Sequence, residues 1–494
     1  MLWYGYIYYF LFLILMYILV SYHLQAMEIF SYFRFESISN LLIYILAVFI
    51  SFAVVSLLVL FYILDYFSFL KVSYLPDGSD ILLFNYYSYD YLVSTVNLNL
   101  NLISVYYFPF IYIFILITIL SVIFCLNYNL TELTAFMLYC VIILFAGYVL
   151  FFTDSLILFF LAYEFLLVPS FFILHNFAKT RKCVEAALLM FFWTQFGALF
   201  IIFAFLYLFF TCETSTFSTL SELVLSRFEL NFIFTCLIIG FGVKLPIWPF
   251  YGWLPKAHVE ASTNFSIFLS GVLVKFAFFG LLKCLITIHL EPTLYLIYPF
   301  LTIGIFDAVF KLFYQIDLKK LVAYSTVVEM HWLTICVISG QSALMLASFC
   351  MLISHALLST NSFLLVDAIA RRFKTRLITE ISGINFLCPK LFLITLLNCL
   401  VFLGFPGSIM FVSEILFFGF FIDLFPLLSI FLILLLYLIA PTFFFRTWMN
   451  AMFGSSLFFL KKIPVDLNSR EFIVLSGLII LMFWLGITWQ SLIV

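Results

Sequence analysis

Long apolar stretches joined by short polar connections run the whole length of the chain. They can be placed at about residues 2 to 21, 40 to 66, 106 to 127, 133 to 153, 155 to 177, 184 to 210, 230 to 253, 262 to 289, 293 to 314, 319 to 339, 342 to 368, 389 to 421, 426 to 446 and 471 to 490. Each is near or above the roughly 20 apolar residues that a helix needs to cross a bilayer. The pattern predicts an all-α polytopic membrane protein of about 14 transmembrane helices. Sizeable polar connections occur at 67 to 105, 365 to 388 and 447 to 470, which leaves no room for an extramembrane domain with its own core. The opening MLWYGYIYYFLFLILMYILV lacks a basic leader and a small-residue cleavage site, so it reads as the first span.

Composition sharpens the assignment. Of 494 residues, 66% are hydrophobic and 9% charged, against about 25% charged in soluble domains. A water-soluble globule is excluded. With 22 Lys and Arg against 24 Asp and Glu the net charge is −2, so no basic face for a nucleic acid is expected. The 10 cysteines lie mostly within apolar runs without a CxxC pair and read as small core fillers.

The cations are distributed asymmetrically. Odd-numbered connections carry Arg34, then Lys179, Arg181 and Lys182, then Lys311, Lys319 and Lys320, then Arg371, Arg372, Lys374 and Arg376, then Arg446, Lys461, Lys462 and Arg470. Even-numbered ones hold little beyond Lys71, Arg227 and Lys283. The odd connections are therefore expected on the cytoplasm-equivalent side and both termini on the other.

Four ionisable residues remain in mid-span: Glu164, Lys244, Lys275 and Glu414. On insertion scales each costs about 2.5 to 3.5 kcal/mol. Singly, each has a plain structural reading. Glu164 and Lys244 form an ion pair between helices, Lys275 snorkels, and Glu414 is a protonated acid on freed backbone. Together they are better explained by one path for charge. Lys244 precedes Pro246, Pro249 and Pro255, and Glu414 follows Gly404, Pro406 and Gly407. Both helices are expected to break in mid-membrane, which is tolerated where the backbone lines a wet cavity. Two such breaks in corresponding positions point to inverted repeats of five helices, spans 4 to 8 and 9 to 13. That divides the chain into flanking helices (1–130), a first repeat (131–290, broken near 244–255), a second repeat (291–446, broken near 404–407) and a polar loop with a last helix (447–494).

The stretch FGVKLPIWPFYGWLPKAHVEAS followed by GVLVKFAFFG, with LAYEFLLVP, DLKKLVAYST, ISHALLST and GFPGSIMFVSE in order around it, resembles the chain 4 family of NADH-ubiquinone oxidoreductase. These are antiporter-like, proton-pumping subunits in the membrane arm of respiratory complex I. The resemblance covers about residues 130 to 420, and the AHVEA string favours chain 4 over the sister chains 2 and 5. It implies that Glu164 and Lys244 interact at an entry half-channel, that Lys275 is the connecting base and that Glu414 is the exit acid. It implies too that His355 lies on the axis between the half-channels and that His258 is the histidine of the AHVEA segment. The implied place is the mitochondrial inner membrane, with positive loops toward the matrix and both termini toward the intermembrane space. The implied partners are other membrane-arm subunits, especially chains 2 and 5, and phospholipids such as cardiolipin. No cofactor is implied for this chain, since NADH, FMN, iron-sulfur clusters and ubiquinone belong to other subunits.

The chain departs from the family pattern in places. Tyr251 and Glu329 stand where family members commonly have histidine, and Ser262 where they have proline. A tyrosine hydroxyl can still orient water and a carboxylate can still titrate. His331 is two residues from Glu329, and positions i and i+2 do not share a helix face, so it is not expected to substitute. A monovalent cation/proton antiporter subunit of the same fold and a non-pumping spacer in the arm stay open as alternatives. A haem-bearing cytochrome would need facing histidine pairs, yet the mid-span histidines at 331 and 355 are on consecutive helices with no second pair.

Overall fold

A computed structural model describes residues 130–176, 181–212, 216–220, 225–288, 297–435, 440–454 and 464–488. The spans expected at 2 to 21, 40 to 66 and 106 to 127 lie outside the described residues. The chain divides into two compact units: Met1–Ser121 with Leu126–Ile142, and Val122–Cys125 with Ile143–Val494. Every candidate residue belongs to the second.

The described chain is built of helices, as a membrane requires: with no water in the hydrocarbon, each backbone amide and carbonyl must find its partner within the segment. In order they are α1 (Leu130–Phe152), α2 (Leu156–Phe165), α3 (Leu167–Asn176), α4 (Arg181–Cys212), α5 (Arg227–Lys244), α6 (Trp253–Glu260), α7 (Thr263–Phe268), α8 (Val274–Thr287), α9 (Ile297–Phe313), α10 (Leu318–Ile338), α11 (Ser342–Phe373), α12 (Pro389–Phe402), α13 (Ile409–Leu424), α14 (Pro426–Ile433), α15 (Ala440–Phe453) and α16 (Ser469–Ile487). Five stretches are long and apolar enough to span a membrane: Leu156–Asn176, Arg181–Thr211, Thr263–Thr287, Leu318–Ile338 and Ala343–Phe373. α11 runs past the expected end at 368 as far as Phe373, and Lys374 closes it in the left-handed conformation at φ 60°.

Polar side chains set the helix starts. Ser226 and Glu229 form a capping box at α5, Asp317 caps α10 and Ser408 caps α13. Each side chain takes up one of the amides that the first helical turn leaves free. Ser262 accepts from the Phe265 amide at the start of α7. A hydroxyl cap thus occupies the position where proline is common in the family.

The two expected breaks are present. α5 stops at Lys244 and the chain resumes through a 3₁₀ turn at Phe250–Gly252 into α6. α12 stops at Phe402 and α13 starts at Ile409. A third irregularity, which composition did not flag, is a π turn at Leu269–Leu273 between α7 and α8.

The layers differ in burial. Thr263–Thr287 is wholly enclosed and Leu318–Ile338 nearly so, whereas much of Arg181–Thr211 faces outward. Along α4, Phe192, Leu199, Phe203 and Phe210 are exposed, as expected of a helix whose outer face meets lipid or a neighbouring subunit. The charged candidates sit on the enclosed helices.

Candidate functional site

At one end of the polar line, Glu164 lies in the last turn of α2, partly buried, and its Oε2 accepts from Gln195 Nε2 of α4 at 2.6 Å. Lys244 ends α5 and is buried. Its Nζ donates to the Tyr163 carbonyl at 3.3 Å and stands 3.8 Å from the centre of the Tyr163 ring. The two expected partners are thus near each other but separately held, the acid by an amide and the amine by the aromatic residue preceding that acid. Gln195 and Tyr163 were not singled out in the sequence. A polar residue flanked by phenylalanines on a mostly apolar helix was the available signal for Gln195.

In the middle, Lys275 is fully enclosed in the first turn of α8. Its ammonium donates to the Ser270 carbonyl and to His355 Nδ1. The π turn explains the first contact, because widening the helix by one residue releases a carbonyl from the regular ladder, and Ser270 lies within that turn. The second contact fixes a tautomer. With Nδ1 accepting from an ammonium, the imidazole proton is on Nε2. That nitrogen faces Glu329 Oε2 at 3.8 Å, beyond direct hydrogen bonding and within the span of one bridging water. Apart from each other, neither atom has a hydrogen-bonding partner among the described residues. Lysine, imidazole and carboxylate from α8, α11 and α10 therefore follow one another through a buried interior.

At the far end Glu414 is buried on α13. The break places Gly404, at φ +65°, against its carboxylate, so closely that a Cβ there would collide with Oε2. Glu414 also lies close enough for its charge to act on Glu329.

His258 and Tyr251 stand elsewhere. His258 on α6 is fully buried and stacked on Phe363 at 4.9 Å between centroids, with neither ring nitrogen hydrogen-bonded among the described residues. The charges of Lys319 and Lys275 both reach it. The Tyr251 hydroxyl donates to Asp307 and accepts from Lys311 at 2.6 Å. His331 faces the first break rather than the middle: Nδ1 donates to the Val327 carbonyl at 2.8 Å and Nε2 accepts the Trp248 amide at 2.7 Å. Residues 329 and 331 do point to different surroundings, as their spacing requires.

Among the described residues no group of three or more His, Cys, Asp or Glu side chains is placed to hold a metal ion. Eight described cysteines are free and buried.

The family model described as NADH:quinone oxidoreductase/Mrp antiporter, transmembrane, matches residues 153–440. The chain belongs to this antiporter family. Among its members, NADH-ubiquinone oxidoreductase chain 4 of Paramecium tetraurelia is 35% identical over 336 residues, 67% of this chain and 70% of the relative. Chain 4 of Marchantia polymorpha is 31% identical over 339 residues, 67% and 68% of the two chains. NADH-quinone oxidoreductase subunit M of Rickettsia felis is 31% identical over 268 residues, covering 53% of this chain and 54% of that one. The antiporter fold is also seen in a chain of respiratory complex I from Thermus thermophilus, with a TM-score of 0.70 at 18% identity over 78% of this chain and 82% of that one. A chain of the Mrp complex from Dietzia gives 0.67 at 22% identity, over 77% and 43%. The antiporter family member described here is of the chain 4 type, a multi-pass membrane subunit of NADH-quinone oxidoreductase.

Proposed function

We propose that this chain moves protons across the mitochondrial inner membrane, through Glu164, Lys244, Lys275, His355, Glu329 and Glu414, as a membrane-arm subunit of respiratory complex I. The observation that carries the reading is the buried sequence Lys275, His355, Glu329. Three groups that each bind and release a proton stand in line where leaving any one charged and alone is costly. The neutral imidazole between them can take a proton on Nδ1 from the lysine while giving up the one on Nε2 toward Glu329. Charge then advances without the ring turning over.

The ends of the line supply the switch. An ammonium holds its proton more tightly when a carboxylate is close. Bringing Glu164 and Lys244 together would load the lysine, and parting them would release the proton toward Lys275. The separately held arrangement, with Gln195 on the acid and Tyr163 on the amine, corresponds to the parted state. Electron transfer from NADH through FMN and iron-sulfur clusters to ubiquinone is assigned to other subunits. The two breaks are read as the midpoints of two five-helix inverted repeats. The positive connections are placed toward the matrix and both termini toward the intermembrane space. Sister chains 2 and 5 and cardiolipin are the neighbours expected along the outward faces.

The test is proton pumping by the assembled complex in liposomes, driven by NADH and a soluble quinone. Lys275→Ala and Lys244→Ala are expected to lower the protons moved per quinone reduced without removing the complex from native gels. Unchanged stoichiometry in both variants would leave the chain as a spacer. A requirement for sodium in place of protons would assign it to cation exchange.

A further inference from the structure

The cluster of Tyr251, Asp307 and Lys311 has no part in the line just described. We propose that it is the inlet by which protons enter the chain from the positively charged face, loading the interrupted segment that has Lys244 at its other end. The inference rests on the proton-carrying reading above and adds the place of entry.

Asp307 and Lys311 are one turn apart on α9 and form an ion pair at 2.8 Å. Taken alone, such an i,i+4 pair is an ordinary surface feature. The third member changes its meaning. Tyr251 comes from a different element, the 3₁₀ turn after the first break, and its hydroxyl sits between the other two, donating to Asp307 Oδ2 and accepting from Lys311 Nζ. Exposure falls from 47% for the Lys311 side chain through 31% for Asp307 to 3% for Tyr251. Three proton-exchanging groups in direct contact, wet at one end and dry at the other, are what a proton needs on leaving water.

The position fits entry from the positive face. Lys311 lies in the last turn of α9, and its long stem lets the ammonium reach the interface. The connection that follows carries Lys319 and Lys320, and the neighbouring one carries Arg376 paired with Asp317 at 2.8 Å. Tyr251 belongs to the half of the broken helix that runs on from the break toward Lys256 on that same face. The wall behind it is fixed. His331 packs edge-on to the Tyr251 ring at 6.1 Å between centroids, with both nitrogens engaged, and it fits there because α9 has Gly304, where a Cβ would collide with the imidazole. His331 therefore shapes the inlet and does not pass protons. Tyr324 of α10 is the other titratable group near Asp307.

Transfer through the phenol conserves charge. The Tyr251 oxygen gains an O–H bond to a proton from Lys311 as it loses its own, and the lysine recovers a proton from water. Tyr251 thereby does with a hydroxyl what a histidine does at this position in relatives. That substitution is workable because the carboxylate and ammonium supply an acceptor and a donor that the hydroxyl lacks alone.

The test uses the assembled complex in liposomes, with protons moved per quinone reduced and the amount of complex on native gels as readouts. Tyr251→Phe and Asp307→Asn are expected to cause the same fractional loss of pumping as Lys275→Ala, while Tyr251→His retains it. Loss in Lys275→Ala with normal pumping in Tyr251→Phe would overturn the inlet and leave the proton-carrying reading standing. Normal pumping in all of them would overturn that reading itself. Equal loss in Tyr251→Phe and Tyr251→His would make the residue a packing element and also end the proposal. If Asp307→Asn fails to assemble, Lys311→Met is measured in its place, with the same loss expected and normal pumping counting against the inlet.

Discussion

The two helix breaks solve one problem by opposite means. Both interrupt a helix beside a charged residue, and both must satisfy the backbone groups they free. At the first, Pro246 has no amide to give, so the Val243 carbonyl loses a regular partner and the Trp253 indole N–H donates to it at 2.8 Å. The Trp248 amide is taken by His331 from another helix. At the second, the bonds are local. Phe405 N–H donates to the Leu400 carbonyl at 3.1 Å and Gly404 N–H to Val401 at 3.0 Å, the paired closure of a helix that ends on a left-handed glycine. The proline break depends on borrowed side chains from α10 and α6. The glycine break depends on the absence of its own. One can therefore respond to movement of neighbouring helices, whereas the other is a rigid cradle for Glu414.

The comparison can be broken most severely at the second site. Gly404→Val puts a branched side chain into the left-handed region, at a cost of about 1 to 3 kcal/mol, and drives it into the Glu414 carboxylate. Loss of assembled complex on native gels, or assembly with loss of this chain's share of pumping, is expected. At the first site, His331→Leu would leave the Trp248 amide buried without an acceptor, a penalty of about 1 to 3 kcal/mol. A lower unfolding temperature of the purified complex is expected, with His331→Gln recovering part of it. Ser408→Ala removes the cap that starts α13 after the glycine break and should cost about 0.5 to 2 kcal/mol, read on the same thermal scale. The smallest effect is expected for Ser262→Pro. The backbone there has φ −62°, which suits proline, so a gain of about 0.4 to 1 kcal/mol from a stiffer unfolded chain nearly offsets the lost cap. A large destabilisation would show that the Ser262 hydroxyl does more than cap α7.

Much of this was legible beforehand because membrane burial leaves so few options. The span positions from 133 onward, the breaks after Lys244 and before Glu414, and the separation of Glu329 from His331 all follow from hydropathy, proline and glycine chemistry, and helix periodicity. What the sequence did not reveal is which groups meet. Gln195 on Glu164 and Tyr163 under Lys244 depend on how α2, α4 and α5 pack, and nothing local marks them. Asp307 drew no notice and Lys311 counted with the positive loops, since one turn at the end of a span looks the same whether its charges face water or a tyrosine 56 residues earlier. The direct contact expected between Glu164 and Lys244 is replaced by one contact for each, a difference of side-chain placement that no pattern of residue types encodes.

The wide turn at Leu269–Leu273 has a bearing on how the chain tolerates insertion and deletion. Each residue advances an α-helix by about 100° around its axis, so the orientation of everything from Val274 onward hangs on a single supernumerary position. Removing any one residue from that turn would leave hydropathy, length and span count almost untouched while swinging the Lys275 side chain about a quarter of a circle away from His355. The central contact is thus specified by a phase angle as much as by the identity of a lysine.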